Sequence, residues 1–397
     1  MASGFANVDR TENANRVREM KNYYPWLDLL RFAAASLVVA DHLGLYAWSY
    51  PSATGPLADA AFPLLSPMSA IGSVGVEIFF LISGFVISAS AVGNTPIDFA
   101  LRRAIRVFPA LWVSGFIAAL ALLSTGVPIT SVLADYVRYA VLSPIGPYID
   151  GVVWTLVVEA VFYLLIYITL WWNGTEKFNL VAKILGVLSA IYLLLLTAAV
   201  IFYGGSSGET AAPAVLLLGR FPFKVLLLRH GVFFAVGILV WHGFNRGFTS
   251  RNRVWLACLL AFCSLEICID QSEIIAIAIR LGLWWVSFGI LLLSMAHRES
   301  NSRLTVQLKI ARYLGRLSYT LYLNHYTLGL VIVPALATLN LSRLTVFFCV
   351  IGIILLVSIL VMFPERALQS VLKRAMERWH ARHESMTNVL DKRLLKR

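Results

Sequence analysis

Charge is scarce in this chain: Asp, Glu, Lys and Arg make up only 14% of its 397 residues, against about 25% in an ordinary soluble domain. That excludes a water-surrounded globule as the whole of the molecule. Cysteine is scarcer still. Cys258, Cys263, Cys268 and Cys349 fall in apolar stretches without a C-x-x-C spacing, which excludes a zinc ribbon or a disulfide framework and leaves them as small buried or lipid-facing side chains. Neither a Walker-type phosphate loop nor a dinucleotide fingerprint occurs. No polar stretch is long enough to suggest an appended soluble domain, so any chemistry falls to side chains inside apolar segments.

What is abundant is hydrocarbon. Apolar residues are 59% of the chain and mean hydropathy is +0.77. Runs of roughly twenty apolar residues, each able to cross a bilayer core of about 30 Å, recur about ten times: 27–47, 70–92, 107–124, 151–172, 180–203, 225–242, 254–270, 273–296, 317–339 and 344–364. The seventh and eighth are separated by little more than Asp270 and Gln271 and are expected to form a tight hairpin. The fold class expected is therefore all-α, a polytopic membrane bundle of about ten transmembrane helices. It divides into a polar N-terminal tail, 1–26, a membrane domain, 27–365, and a basic C-terminal tail, 366–397. The first apolar run follows a long polar segment and is itself long enough to span, so it is expected to stay as an anchor and not to be cleaved as a signal.

Cations set the expected orientation, because short loops rich in Lys and Arg stay in the cytoplasm. The N-terminal tail carries Arg10, Arg16, Arg18 and Lys21, whereas 48–69 carries none. Arg102, Arg103 and Arg106 follow the second run, Arg138 alone follows the third, and Lys177 follows the fourth. Arg246, Arg251 and Arg253 follow the sixth; Arg298, Arg303, Lys309, Arg312 and Arg316 follow the eighth. The C-terminal tail adds nine more cations, from Arg366 to Arg397. Both termini are thus expected in the cytoplasm, in a multi-pass protein of the inner (cytoplasmic) membrane. Only 204–224, with Arg220 and Lys224, runs against the alternation. The net charge of +12 is then explained by anionic lipid headgroups, and no nucleic-acid partner is expected. In the tail, Leu368, Val371, Leu372, Ala375 and Trp379 recur at helical spacing among cations, as in an interfacial amphipathic helix, or in a simple solvated tail.

Against this background the ionisable residues inside the runs stand out, since they are expensive in hydrocarbon and rarely idle there. LDLLRFAAASLVVADH contains Asp28, Arg31, Asp41 and His42. Eleven residues at about 100° each return Arg31 and His42 to nearly one side of a helix, roughly 16 Å apart along it. Asp28 sits one turn from Arg31 and is expected to orient it. With the orientation above, His42, Glu77 and Glu159 lie at similar depth in the outer third, with Trp154 just above Glu159. Arg31 lies low, level with Arg102, Arg103 and Arg106. A cationic inner mouth suits a phosphorylated ligand, and an imidazole with a carboxylate nearby suits proton transfer. Acyl-coenzyme A, with phosphates at one end and a reactive thioester at the other, is long enough to join the two. Ser83 invites a reading as a nucleophile, yet no base is evident beside it, and Ser83-Gly84 is better read as a close helix contact.

These segments resemble those of the membrane-bound acyltransferase family 3, which O-acylates bacterial surface and secreted glycans. Arg31, ten residues and His42 resemble its first-span motif; GVEIFFLISGF (75–85) its second-span motif; Arg103-Ala-Ile-Arg106 its R-x-x-R. VVWTLVVEAVFYL (152–164) and LSYTLYLNHY (317–326) resemble its Trp-Glu-Phe-Tyr and late Ser-Tyr-His segments. Ala160 and Val161 replace polar residues common after the glutamate, and Asn324 replaces a bulky aromatic.

The resemblance implies an O-acyltransferase, an O-acetyltransferase in the first instance. No permanent cofactor or metal is implied, and acyl-coenzyme A, chiefly acetyl-coenzyme A, is the donor. Arg31, Arg103 and Arg106 would hold the donor, and His42 and Glu159 would be catalytic. Glu77, Trp154, Tyr322 and His325 would bind substrate, with Asp28 in support. The acceptor would be a hydroxyl of a glycan or lipid-linked saccharide, such as exopolysaccharide or O-antigen; membrane lipids would surround the protein, and an oligomer is compatible with all of this. Buried charge and many spans also describe a transporter or flippase of glycan or acyl intermediates, but no inverted internal repeat is visible. A scaffold without chemistry would not need the charged face of the first span.

Overall fold

The computed structural model describes residues 24–46, 71–203, 213–269, 273–296, 306–339 and 341–394. The cation-free stretch 48–69, the N-terminal cations, Asp270, Gln271, Arg298 and Arg303 lie outside them. All regular structure among the described residues is helical. The α-helices are α1 (Pro25–Asp41), α2 (Val74–Ala91), α3 (Pro96–Ser124), α4 (Ile129–Ala140), α5 (Trp154–Asn173), α6 (Phe178–Tyr203), α7 (Pro213–Leu218), α8 (Phe221–Val225), α9 (Gly231–Arg246), α10 (Ser250–Ile269), α11 (Ile274–Ala296), α12 (Val306–Ala337) and α13 (Arg343–Leu394).

Seven described segments are long and apolar enough to cross a membrane: Val74–Ala91, Pro96–Ser124, Gly151–Trp172, Gly174–Phe202, Ser250–Ile269, Ile274–Met295 and Leu344–Arg382. The other three expected crossings also fall on helices. α1 has 17 residues before it widens into a π turn at His42–Tyr46, and α9 has 16. α12 is long, at 32 residues, but opens with Lys309, Arg312 and Arg316.

Local chemistry moves several boundaries. α3 begins at Pro96, well before the apolar run at 107, because Thr95 caps it: the Thr95 hydroxyl accepts from the Asp98 amide at 3.1 Å, and Pro96 has no amide to satisfy. Arg102, Arg103 and Arg106 are therefore helical residues and not residues of a loop. The segment from 366 onward continues α13, a helix of 52 residues that runs through Pro364. α4 is a helix in what hydropathy alone leaves as a connection.

The bundle closes through small residues. A Cβ on Gly84 or Gly237 would overlap the backbone of the facing helix, so α2 and α9 touch main chain to main chain; Gly75 does the same against Ala34 of α1, and Gly315 lets α12 lie against Asp28 of α1. Around these contacts Phe85, Phe162, Phe233, Phe234 and Trp284 fill one core, while Ala35, Val39, Leu43, Leu321, Leu328 and Val350 fill a second between α1, α12 and α13. The polar residues of α1, α2, α3, α5 and α12 meet between them.

Candidate active site

One cavity gathers residues from all five of those helices. Arg31 of α1, Arg103 and Arg106 of α3, Glu159 and Tyr163 of α5, Ser83 of α2 and Tyr319 and Tyr322 of α12 line it. Asp28 Oδ1 lies 3.7 Å from Arg31 Nη1, one helical turn away. The Arg103 guanidinium sits 6.0 Å from the ring centroids of both Phe99 and Tyr163, within cation–π reach. Above the cations, the Ser83 hydroxyl donates to Glu159 Oε1 at 2.5 Å. The upper wall is aromatic: Phe79 and Tyr322 meet edge to face with centroids 5.6 Å apart. The Tyr322 hydroxyl is fixed by Thr155 Oγ1 at 2.8 Å and the Val152 carbonyl at 3.3 Å.

His42 and His325 lie behind that wall. His42 stands at the start of the π turn, a geometry that re-aims side chains and often marks functional positions. Its Nδ1 is 2.8 Å from His325 Nε2, the two rings stack with centroids 5.0 Å apart, and Tyr326 packs edge-on to His42 at 5.1 Å. His325 is fully buried, and its Nδ1 lies 2.8 Å from the Tyr322 carbonyl. A carbonyl only accepts, so the hydrogen-bond chain assigns the tautomers: neutral His325 carries its proton on Nδ1 and accepts at Nε2. His42 then donates from Nδ1.

A second polar cluster lies apart from both. Glu77 Oε1 is 4.0 Å from Arg280 Nη2; Glu266 Oε1 accepts from Arg229 Nε at 3.0 Å and lies 3.4 Å from His230 Nδ1. Among the described residues, Glu77, His230 and Glu266 form the one group disposed like metal ligands, with their donor atoms within 4.8 Å of one another. Two guanidinium cations already balance the two carboxylates, so this is a neutral ionic core rather than an anionic pocket. Trp154 packs beside it, 5.7 Å from His230, with the Lys224 ammonium 4.9 Å from its ring centroid.

Of the residues singled out in the sequence, Arg31, Arg103, Arg106, Glu159 and Tyr322 share one cavity, with Asp28 on Arg31. His42 and His325 form a pair of their own. Glu77 and Trp154 sit with the ionic core. Glu159 is not beside His42 as the depth estimate places it; its carboxylate turns instead to Ser83. Arg229, Glu266, Arg280 and Thr155 carry no isolated sequence signal, whereas Tyr163 is the tyrosine of the Trp-Glu-Phe-Tyr segment and follows Glu159 by one helical turn.

A family model described as an acyltransferase domain matches residues 24–363. The chain belongs to acyltransferase family 3. Its apolar helices make it a multi-pass membrane protein. It is 29% identical over 263 residues to nodulation protein 10 of Rhizobium leguminosarum bv. viciae, covering 59% of this chain and 65% of that protein. Over 85 residues it is 39% identical to an O-acetyl transferase of Shigella phage Sf6, covering 21% of this chain and 22% of that one. The chain thus spans less than two thirds of either curated relative. No solved structure matches.

Proposed function

We propose that this acyltransferase is an O-acetyltransferase of the inner membrane, taking its acetyl group from acetyl-coenzyme A at the cytoplasmic face and delivering it to a hydroxyl of a surface or secreted glycan. One observation carries the reading: Arg31, Arg103 and Arg106, from two helices, converge with Glu159 and Ser83 on a single cavity. Guanidinium groups match phosphate in charge and geometry, so they suit the nucleotide end of the donor. The neutral, aromatic upper part suits its thioester arm.

His42 serves as general base toward the acceptor hydroxyl, its imidazole held in place by the bond to His325. Tyr322 stands between the two halves, lining the donor cavity with its ring side and holding His325 with its carbonyl.

Two contacts support ten crossings with both termini in the cytoplasm. His380 Nε2 lies 2.6 Å from Asp98 Oδ1, joining the C-terminal segment to the start of α3. Arg246 bonds Glu176 with both terminal nitrogens, at 2.6 and 2.7 Å, joining the end of α9 to the α5–α6 connection. Each pair links segments that the cation pattern puts on the same side. On the opposite side, Asp150, just before α5, accepts from the Thr327 amide at 3.2 Å, near His325.

The test is reconstitution of the full chain in lipid nanodiscs with labelled acetyl-coenzyme A and a bacterial polysaccharide. Wild type should move label to the glycan and His42→Ala should not. Label transfer by His42→Ala at the wild-type rate overturns the assignment of the base. A wild type inert toward the thioester overturns the donor.

A further inference from the structure

Ser83 departs from the habit of hydroxyls in apolar helices. Buried serines in such segments usually bond back to the carbonyl four residues earlier, and Ser36, Ser88, Ser264, Ser287, Ser294 and Ser358 all do so here. The hydroxyl of Ser83 instead leaves its own helix and donates to Glu159 of α5. It does so inside the cavity that carries Arg31, Arg103 and Arg106, with Tyr163 on the same wall. Meanwhile His42 is absent from the lining of that cavity, and the Phe79–Tyr322 pair forms the wall on its side. A donor held by the three arginines therefore meets the Ser83–Glu159 pair before it can meet an imidazole.

We propose that Ser83 is the nucleophile of the donor half-reaction, with Glu159 as its base, so that the acyl group rests on Ser83 as an ester before it reaches the acceptor. The inference rests on the acyl-thioester donor argued above. Ser83 Oγ attacks the thioester carbonyl carbon while its proton passes to Glu159 Oε1. The carbon–sulfur bond then breaks, and the departing thiolate takes that proton from Glu159. The products are acyl-Ser83 and free coenzyme A thiol, with no change of oxidation state. The acceptor hydroxyl later displaces Ser83 Oγ, and the proton it loses replaces the one Ser83 gave up. A nucleophile with an adjacent oriented base is the usual arrangement for covalent acyl transfer, and the pair divides the reaction into two steps on either side of the aromatic wall.

The experiment omits the acceptor. Full-length protein in nanodiscs is mixed with labelled acetyl-coenzyme A, quenched in acid and analysed by intact mass and peptide mapping, while released thiol is measured in parallel. Wild type should carry one acetyl group on the α2 peptide at Ser83 and release one equivalent of thiol in a burst. Ser83→Ala and Glu159→Gln should lose the burst at least a hundred-fold while still binding coenzyme A, which shows that the cavity has formed. Ser83→Cys should trap the group as a thioester cleaved by neutral hydroxylamine. Label on His42 or Tyr163, or glycan acetylation by Ser83→Ala at the wild-type rate, overturns the proposal and leaves the donor reading standing. A wild type that binds coenzyme A but never cleaves the thioester overturns both.

Discussion

His42 and His325 face each other across α1 and α12, nitrogen to nitrogen at 2.8 Å, although 283 residues separate them in the chain. The Tyr322 carbonyl at the far end of the pair fixes which nitrogen of each ring holds a proton. On the proposed mechanism, His325 acts through His42 as a positioning residue. His325→Gln should lower the rate of transfer to the acceptor by roughly ten- to a hundred-fold, a fraction of what general base catalysis contributes. The KM for acetyl-coenzyme A and the acceptor-free burst should stay as in wild type. A raised donor KM with an unchanged rate would place His325 in donor binding instead.

Arg103 makes the opposite prediction. Loss of a charge-assisted contact costs about 1.5–3 kcal/mol, or roughly ten-fold or more in affinity. Arg103→Ala should raise the KM for acetyl-coenzyme A by that factor and leave the turnover number little altered. Arg103→Lys should recover only part of the loss, because an ammonium keeps the charge but not the two-pronged donor geometry. Dephospho-coenzyme A as a competitor, titrated against both variants, would show whether the lost contact is to phosphate.

The ionic core gives a stability prediction. Arg229 and Glu266 are 8% and 2% exposed, so Glu266→Ala should leave a buried guanidinium without its carboxylate and cost about 3–5 kcal/mol. Thermal unfolding in detergent should register a marked fall in Tm. Replacing Arg229 and Glu266 together by Met and Leu should recover most of it, and failure to do so would mean that the pair is needed for more than neutralising itself.

Backbone contact between α2 and α9 is equally exposed to test. Gly84→Val or Gly237→Val places a side chain where main chain of the neighbour already lies. Overpacking of this kind costs about 1–3 kcal/mol, and with backbone as the obstacle the upper end is expected. Folded yield and Tm should both drop, whereas Gly352→Val, where a Cβ meets open space, should do neither.

Much of this organisation is legible in the linear sequence because it is periodic or local. The apolar runs mark the long helices to within a turn or so at 151–172 and 273–296, since a membrane span announces itself by length alone. Arg31 and Asp28 are read together because one helical turn joins them. The start of α3 was also available, in Thr95, Pro96 and Asp98, but a cap is a weaker signal than a hydropathy edge at 107. What stays hidden is pairing over distance. Nothing near Ser83 points to Glu159, 76 residues on, and nothing near Glu77 points to Arg280. The place of Glu159 along α5 is readable, but not which neighbouring helix its carboxylate meets, and that is what joins it to Ser83 rather than to His42.

α13 runs unbroken from the bundle core into the C-terminal segment. At 52 residues it extends about 78 Å, from beside His325's helix to a point well past Asp98, where His380 pins it to α3. Held in the core at one end and by Asp98 at His380, the rod needs nothing beyond that contact to keep its place, so shortening the chain after His380 should leave the fold intact.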